Sequence, residues 1–303
     1  MLGDEIGDPQ PVTASHLTDR VETGGVLVVI GTPIGNLGDI TKRSMEELAA
    51  VTTLCCEDTR RTRQLLHHLG VATPRLLVAN DHTESRVIPE VLARLETGER
   101  VGVVSDAGMP TVSDPGARIV AAAADAGFAV TVAPGPAAVT TALAISGLGG
   151  ERFVFEGFLP RKGKARSQRL AELSRYPMPT VIYEAPHRVQ RTLQDLADVC
   201  GPDRPLAALR ELTKKFEQVV RGAASEVAEH FSANEPRGEF VIVVSAAERV
   251  GPPSDEAIKV MVRDEVARGQ SYRDAAKLVT AATTAPGRHV YQLALEVKAE
   301  GVS

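Results

Sequence analysis

Several stretches of the chain put ligand-holding residue types where an apolar run gives way to a loop. The run Gly31-Thr32-Pro33-Ile34-Gly35-Asn36-Leu37-Gly38-Asp39 carries three glycines, which let a backbone approach a ligand closely. Its spacing is not G-x-G-x-x-G, and Pro33 removes an N–H that a phosphate would use, so a dinucleotide fingerprint and a P-loop both fit poorly. Ser105-Asp106-Ala107-Gly108 offers a carboxylate for an amine or a ribose hydroxyl, followed by two small residues that leave room for the ligand. Further on, Asp114 and Pro115 read as the N-cap and first residue of a helix. Pro134-Gly135-Pro136 leads into Ala137 and Ala138, small residues that leave a helix mouth open to something flat. Arg161, Lys162, Lys164, Arg166 and Arg169 form a run with no acid between Gly157 and Ala171, a pattern suited to phosphate contacts, and Arg60, Arg61 and Arg63 form a second basic cluster. Tyr183-Glu184-Ala185-Pro186-His187-Arg188 and Arg210-Glu211-Leu212-Thr213-Lys214-Lys215 bring charged groups to two further strand ends. A pair such as Glu184 and Arg210 there is more often a salt bridge than a catalytic couple.

The elements that position these loops follow from periodicity. Strands are expected at Val26–Gly31, Thr52–Glu57, Leu76–Ala79, Val101–Ser105 and Ala129–Ala133. Helices are expected between them at Lys42–Ala50, Arg60–Leu69, Arg86–Glu96 and Ala117–Ala126, with a further one at Ala137–Ser146. The alternation predicts a largely parallel sheet with helices on both faces, whose ligands bind beyond the carboxyl ends of the strands. The glycines of Gly147–Arg152 mark a boundary. A second α/β unit follows, with strands at Phe153–Glu156, Thr180–Glu184, Leu206–Arg210, Glu217–Val220 and Glu239–Ser245 and helices at Ala165–Arg175, Val189–Val199 and Ser225–Phe231. After Gly251-Pro252-Pro253, residues 254–303 read as two or three short helices with balanced charge. The expected division is a mobile tail over 1–23, α/β domains over 24–148 and 149–251, and a small helical segment over 252–303.

Composition limits the functional classes. The chain has 303 residues, 43% of them hydrophobic and 24% charged, as in ordinary globular proteins. No apolar run nears the roughly 18 residues of a membrane span. Met1 to Glu22 contains Asp4, Glu5, Asp8 and Asp19 and no apolar segment, which predicts no signal peptide. Three cysteines, two of them adjacent, give neither a disulfide framework nor a zinc spacing, so a reducing cytoplasm and no metal are expected. The net charge of −5 argues against a general nucleic-acid coat and leaves room for a local basic patch. With no Trp and 4% aromatics, a stacking platform for single strands is not expected.

Taken together, Gly31 to Thr41, Glu57-Asp58-Thr59-Arg60, Ser105 to Gly116, Pro134-Gly135-Pro136, Glu156-Gly157-Phe158-Leu159-Pro160 and Arg210 to Lys214 resemble the ribosomal RNA small subunit methyltransferase I family. That family lies within the tetrapyrrole-methylase superfamily, and the resemblance runs from about Val26 to the C-terminus. It implies two α/β domains with the donor in the cleft between them and a small C-terminal helical segment that contacts RNA. It implies S-adenosylmethionine as donor, a cytidine 2′-oxygen of 16S rRNA in the small ribosomal subunit as acceptor, and a homodimer. By position, it places Pro33, Asp106, Ala107, Gly108, Met109, Val112, Ala137 and Ala138 around the donor, with Glu184, Arg210 and Gly238 closing the pocket from the second domain. Ala137 stands where relatives often carry a hydroxyl residue. Arg60, Arg61, Arg161, Lys162 and Lys164 are the expected RNA contacts. Glu184 and Lys214 are the leading candidates for the base, with His187 behind them; a lysine in that role needs a lowered pKa. Fold alone does not choose the acceptor, so two alternatives stand beside this reading: a tetrapyrrole-type small-molecule methyltransferase and a non-catalytic nucleotide- or RNA-binding module.

Overall fold

Short β-branched runs separated by amphipathic helices build the first sheet of the computed structural model, which describes residues 24–247, 253–283 and 285–300. The expected tail over 1–23 and most of the Gly251-Pro252-Pro253 break lie outside these residues. The strands are β1 (Val26–Ile30), β2 (Thr53–Cys56), β3 (Arg75–Val78), β4 (Arg100–Val103) and β5 (Ala129–Ala133). They lie in the order β3-β2-β4-β1-β5 and every pairing is parallel. Helices α1 (Lys42–Ala50), α2 (Thr59–His68), α3 (Glu84–Glu96), α4 (Ala117–Asp125) and α5 (Ala138–Ser146) connect or follow them. Alternate residues of β1 enter different cores: Leu27 packs with Val101 and Ile119, and Val28 with Leu48 and Leu54. Because β4, β1 and β5 are neighbours, the loops after them meet at one edge. Gly31 and Gly135 make that meeting possible, since a Cβ on Gly31 would lie 2.6 Å from the Gly135 nitrogen.

The second sheet departs from the parallel pattern. It contains β6 (Val154–Phe158), β7 (Thr180–Glu184), β8 (Pro205–Arg210), β9 (Gln218–Ala223) and β10 (Phe240–Val244), in the order β6-β7-β10-β8-β9. Only β6 and β7 pair in parallel; β10 runs antiparallel to β7 and β8, and β9 antiparallel to β8. Helices α6 (Gly163–Leu173), α7 (Pro186–Cys200) and α8 (Ala224–Ala233) cover one face through Leu170, Leu193 and Val227. The other face, with Val181, Leu209 and Val243, packs on Val139 and Ala142 of α5. One helix of the first half thus closes the core of the second, and both sheets belong to one compact unit that ends at Ala246.

Beyond it, α9 (Asp255–Ala267), α10 (Tyr272–Ala282) and α11 (Gly287–Glu300) form a unit of their own. Its core holds Ile258, Val262, Ala276, Val279, Leu293 and Val297. Ser254 and Ser271 cap the first two helices, accepting hydrogen bonds from the N–H groups of Ala257 and Asp274.

Candidate functional site

The loops after β1, β4 and β5 form one wall of a cavity of about 320 Å³, and the second sheet forms the other. Ile34, Met109, Val112, Phe158, Leu212 and Phe240 make the lining mostly apolar. Ala107, Gly108, Ala137 and Ala138, the small residues of these loops, also line it. Ala137 is the N-cap of α5 and no side chain caps that helix, so its first N–H groups open beside the cavity wall.

Asp114 also lines the cavity, and the sequence reading misses it. The expected N-cap role falls to Gly116, and α4 starts at Ala117. The buried carboxylate of Glu84 caps the helix instead, accepting hydrogen bonds from the N–H groups of Gly116 at 3.0 Å, Arg118 at 2.7 Å and Ile119 at 3.3 Å. Asp114 is thereby freed for the cavity. Burial, and then repulsion from Glu57, Asp106 and Asp81, push its pKa up to about 7, while a hydrogen bond from the Ser105 hydroxyl pulls the other way. Thr111 (φ 73°) and Ser113 (φ 62°) beside it hold left-handed backbone conformations that a β-branched or bulky residue rarely adopts. Glu211 (φ 53°) and Thr213 (φ 63°) hold the same conformation on the loop after β8, around cavity residue Leu212. Such strain persists where the surrounding structure over-determines it, and it clusters at binding sites.

Several expected site residues are placed elsewhere or already engaged. Asp106 and Pro33 do not line this cavity; they line a second pocket with Arg61. The Asp106 carboxylate pairs with Arg61 at 3.2 Å and accepts the Asp58 N–H at 3.3 Å. Glu184 lies at the cavity wall, but its side chain has no exposure. Its carboxylate accepts from the Thr192 hydroxyl at 2.6 Å and the Ala185 N–H at 2.9 Å, and pairs with Arg188 at 3.1 Å. Arg210 is not its partner. Arg210 donates to the Arg237 carbonyl at 2.6 Å and lines a groove with Gln218 and His230. Lys214 pairs with Glu211 at 3.0 Å and Glu239 at 2.9 Å. Burial alone would lower its pKa, but those two carboxylates outweigh it and hold the ammonium above its usual value, opposite to what a base requires. Gly238 (φ +83°) does not line the cavity; it seats the Glu211 carboxylate, which would lie 2.5 Å from an added Cβ.

The basic run also divides. Arg161, Lys162 and Lys164 are exposed. Arg166 is buried, bonded to Asp195 at 2.7 Å and Thr192 at 2.9 Å. Arg169 pairs with Glu156 and Glu172. In the other cluster Arg60 and Arg61 are exposed, Arg60 pairing with its own N-cap, Asp58, at 2.8 Å. Among the described residues no His, Cys, Asp and Glu group has the geometry of a metal site, and no helix is long and apolar enough to cross a membrane.

The mostly apolar cavity thus lies between a parallel and a mixed sheet, at the strand ends of the first. The family of Tetrapyrrole (Corrin/Porphyrin) Methylases matches residues 26–228. Solved structures agree on the fold. Uroporphyrin-III C-methyltransferase from Thermus thermophilus, in complex with S-adenosylhomocysteine, superposes with TM-score 0.53 at 18% identity over 75% of this chain and 100% of that one. The cobalamin biosynthetic cobalt precorrin-4 methyltransferase gives 0.55 at 16% identity over 73% and 94%. The sequence narrows the class. The ribosomal RNA small subunit methyltransferase I of Synechocystis is 41% identical over 91% of this chain and all of its own. That of Mycobacterium tuberculosis is 41% identical over 92% and 97%. The chain belongs to the ribosomal RNA small subunit methyltransferase I family, and its methyl donor is S-adenosylmethionine.

Proposed function

We propose that the chain methylates the ribose 2′-oxygen of a cytidine in 16S rRNA of the small ribosomal subunit. The observation that carries the reading is the cavity with Asp114 in its wall, in a chain whose relatives bear the name of a small-subunit rRNA methyltransferase. The cavity fits the donor. Its wall is apolar enough for an adenosine, and the half-buried Asp114 has no ion-pair partner among the described residues. The donor supplies a methyl group on a cationic sulfur, already activated for displacement. Asp114 provides the negative charge that holds this cation. Ala107, Gly108, Ala137 and Ala138 leave space for a flat group against the backbone, and Met109 and Val112 exclude water beside it. The new bond joins the methyl carbon to the 2′-oxygen as the carbon–sulfur bond breaks. Its electron pair stays on sulfur, and the hydroxyl proton leaves to solvent. Alignment of the reacting atoms, rather than a dedicated base, supplies most of the acceleration; well-oriented reactants contribute about 7–11 kcal/mol. The active form is proposed to be a cytoplasmic homodimer.

Incubation with methyl-labelled donor and unmodified 30S subunits tests the reading. Label is expected on one cytidine ribose of 16S rRNA. Label on a tetrapyrrole and none on 30S would favour the small-molecule alternative; RNA binding without transfer would favour the binding module.

The exposed Arg161, Lys162 and Lys164 are proposed to meet RNA phosphates with Arg60 and Arg61. Each phosphate contact adds about 0.7–0.9 to the slope of log K against log salt. Replacing Lys162 and Lys164 by Gln is expected to make the salt dependence of 30S binding shallower by roughly 1.4–1.8, with donor affinity unchanged. An identical slope would make these lysines a solvated face.

A further inference from the structure

The second pocket, of about 280 Å³, is lined by the same two loops that wall the donor cavity. The two spaces divide the same backbone between them. On the β1 loop, Ile34 faces the donor cavity while Pro33 and Gly35 line the second pocket. On the β4 loop, Ala107 and Gly108 face the donor cavity while Ser105 and Asp106 line the second. A β-bridge between Thr32 and Gly108 ties the two loops together. The outer wall is helix α2, whose Arg61, Gln64, Leu65 and His68 lie along one stripe at helical spacing. Thr62 adds to this wall, and Leu66 turns into the core of the first sheet, while Arg61, Gln64 and His68 remain exposed.

The donor and acceptor pattern in this pocket is specific. Asp106 is an acceptor held in place. Its own N–H donates to Glu57 at 3.1 Å, and its carboxylate is fixed by the Asp58 N–H and by Arg61. Each carboxylate oxygen has a further lone pair to offer. Beside it, Gln64 and Arg61 bring donors, and Pro33, Leu37 and Leu65 bring apolar surface for a ring. A pyrimidine with an exocyclic amino group is complementary to this set. Its amino N–H meets a carboxylate, as aspartate and glutamate meet cytosine N4, and its ring nitrogen and carbonyl accept. Uracil presents a carbonyl oxygen where the amino group would be, facing the carboxylate with no proton between them. Unpaired nucleotides of RNA are read in this way, through their base edges.

We propose that this second pocket seats the base of the target nucleotide and selects cytosine through the Asp106 carboxylate, with Gln64 as a second reader. The inference rests on the reading of the chain as an rRNA ribose methyltransferase and adds to it the element that chooses the base. It also gives Asp106 a role toward the acceptor instead of the donor.

The test uses the full-length protein with 30S subunits reconstituted to carry cytidine or uridine at the mapped position. Wild type is expected to prefer cytidine by about 10- to 100-fold in kcat/KM, as for other well-placed edge contacts. Asp106→Asn should narrow that preference to a few-fold, because an amide can turn its N–H toward the uracil oxygen. Gln64→Leu changes an exposed side chain, which keeps the test open if the first variant folds poorly; it should raise KM for the cytidine substrate about tenfold. Calorimetry supplies the readout besides turnover, and donor affinity should be unchanged in both variants. Equal cytidine preference in wild type and variants overturns the proposal, and so does a loss of donor affinity in Asp106→Asn. Absence of any transfer to 30S by wild type would instead remove the underlying functional reading, and the proposal with it.

Discussion

Asp114→Asn is expected to weaken S-adenosylmethionine binding by about 30- to 150-fold, equivalent to about 2–3 kcal/mol for a charge partner lost in a partly buried site. The pH dependence should be equally diagnostic. Burial and the neighbouring carboxylates hold Asp114 near pKa 7, so a large share of the free protein carries it protonated at pH 6. The cationic donor binds the ionised form. Wild-type affinity should therefore rise about tenfold between pH 6 and pH 8 and level off above, and the Asn variant should lose that slope. The same linkage acts on stability. The folded pKa lies above the ordinary aspartate value of 3.8, so the free protein loses stability as pH rises from about 4 through 7. Saturating donor should flatten that loss. Asp106→Asn serves as the control, with donor affinity within about twofold of wild type, because Asp106 faces Arg61 outside the cavity. Donor affinity that is flat with pH and unchanged in a folded Asp114→Asn variant would sink the assignment.

The choice between these two aspartates shows where the sequence stops being readable. Both sit in one loop, and local chemistry does not tell that Asp114 lines the cavity and Asp106 the second pocket. Asp114-Pro115-Gly116 carries every local mark of a helix start. The actual cap is Glu84, 32 residues earlier in the chain, and a carboxylate arriving from another helix leaves no trace in the segment it caps. The basic run misleads in the same way. Arg166 looks like its neighbours until α6 and α7 bring Asp195 and Thr192 against it. What the sequence did disclose follows from rules that act at short range. The first sheet's strands and helices are set by period and by turn residues, and they emerge within a few residues of their expected bounds. Once those strands are parallel, the loops after β1, β4 and β5 must gather at one edge, so that wall of the cavity was foreseeable. The antiparallel β8, β9 and β10 were not, because strand direction is decided by connections and partner faces rather than by the residues of the strand. Nor were the left-handed Thr111 and Thr213, since a β-branched residue gives no warning that its surroundings will force that conformation.

Glu184 is expected to matter for folding rather than for proton transfer. A general base needs a free lone pair facing the reacting hydroxyl. The Glu184 side chain has no exposed surface, and its oxygens are engaged by Thr192, Ala185 and Arg188. Removing one partner of such a pair typically costs about 3–5 kcal/mol, because the other charge is left without compensation. Here that charge is Arg188, only 17% exposed. Against a typical total of 5–15 kcal/mol, Glu184→Ala should lower the thermal midpoint by about 6–20 °C and the yield of folded protein with it. Lys214→Met should differ in kind. Its ammonium stays protonated through neutral pH, held by Glu211 and Glu239, so removing it should leave the shape of the single-turnover pH profile unchanged. A base would give the reverse pattern: a wild-type thermal midpoint, intact donor and 30S binding, and a single-turnover rate down by about 10²–10⁴. Finding that pattern in Glu184→Ala would require the carboxylate to leave its buried network before the methyl moves, and alignment could then no longer carry most of the catalysis.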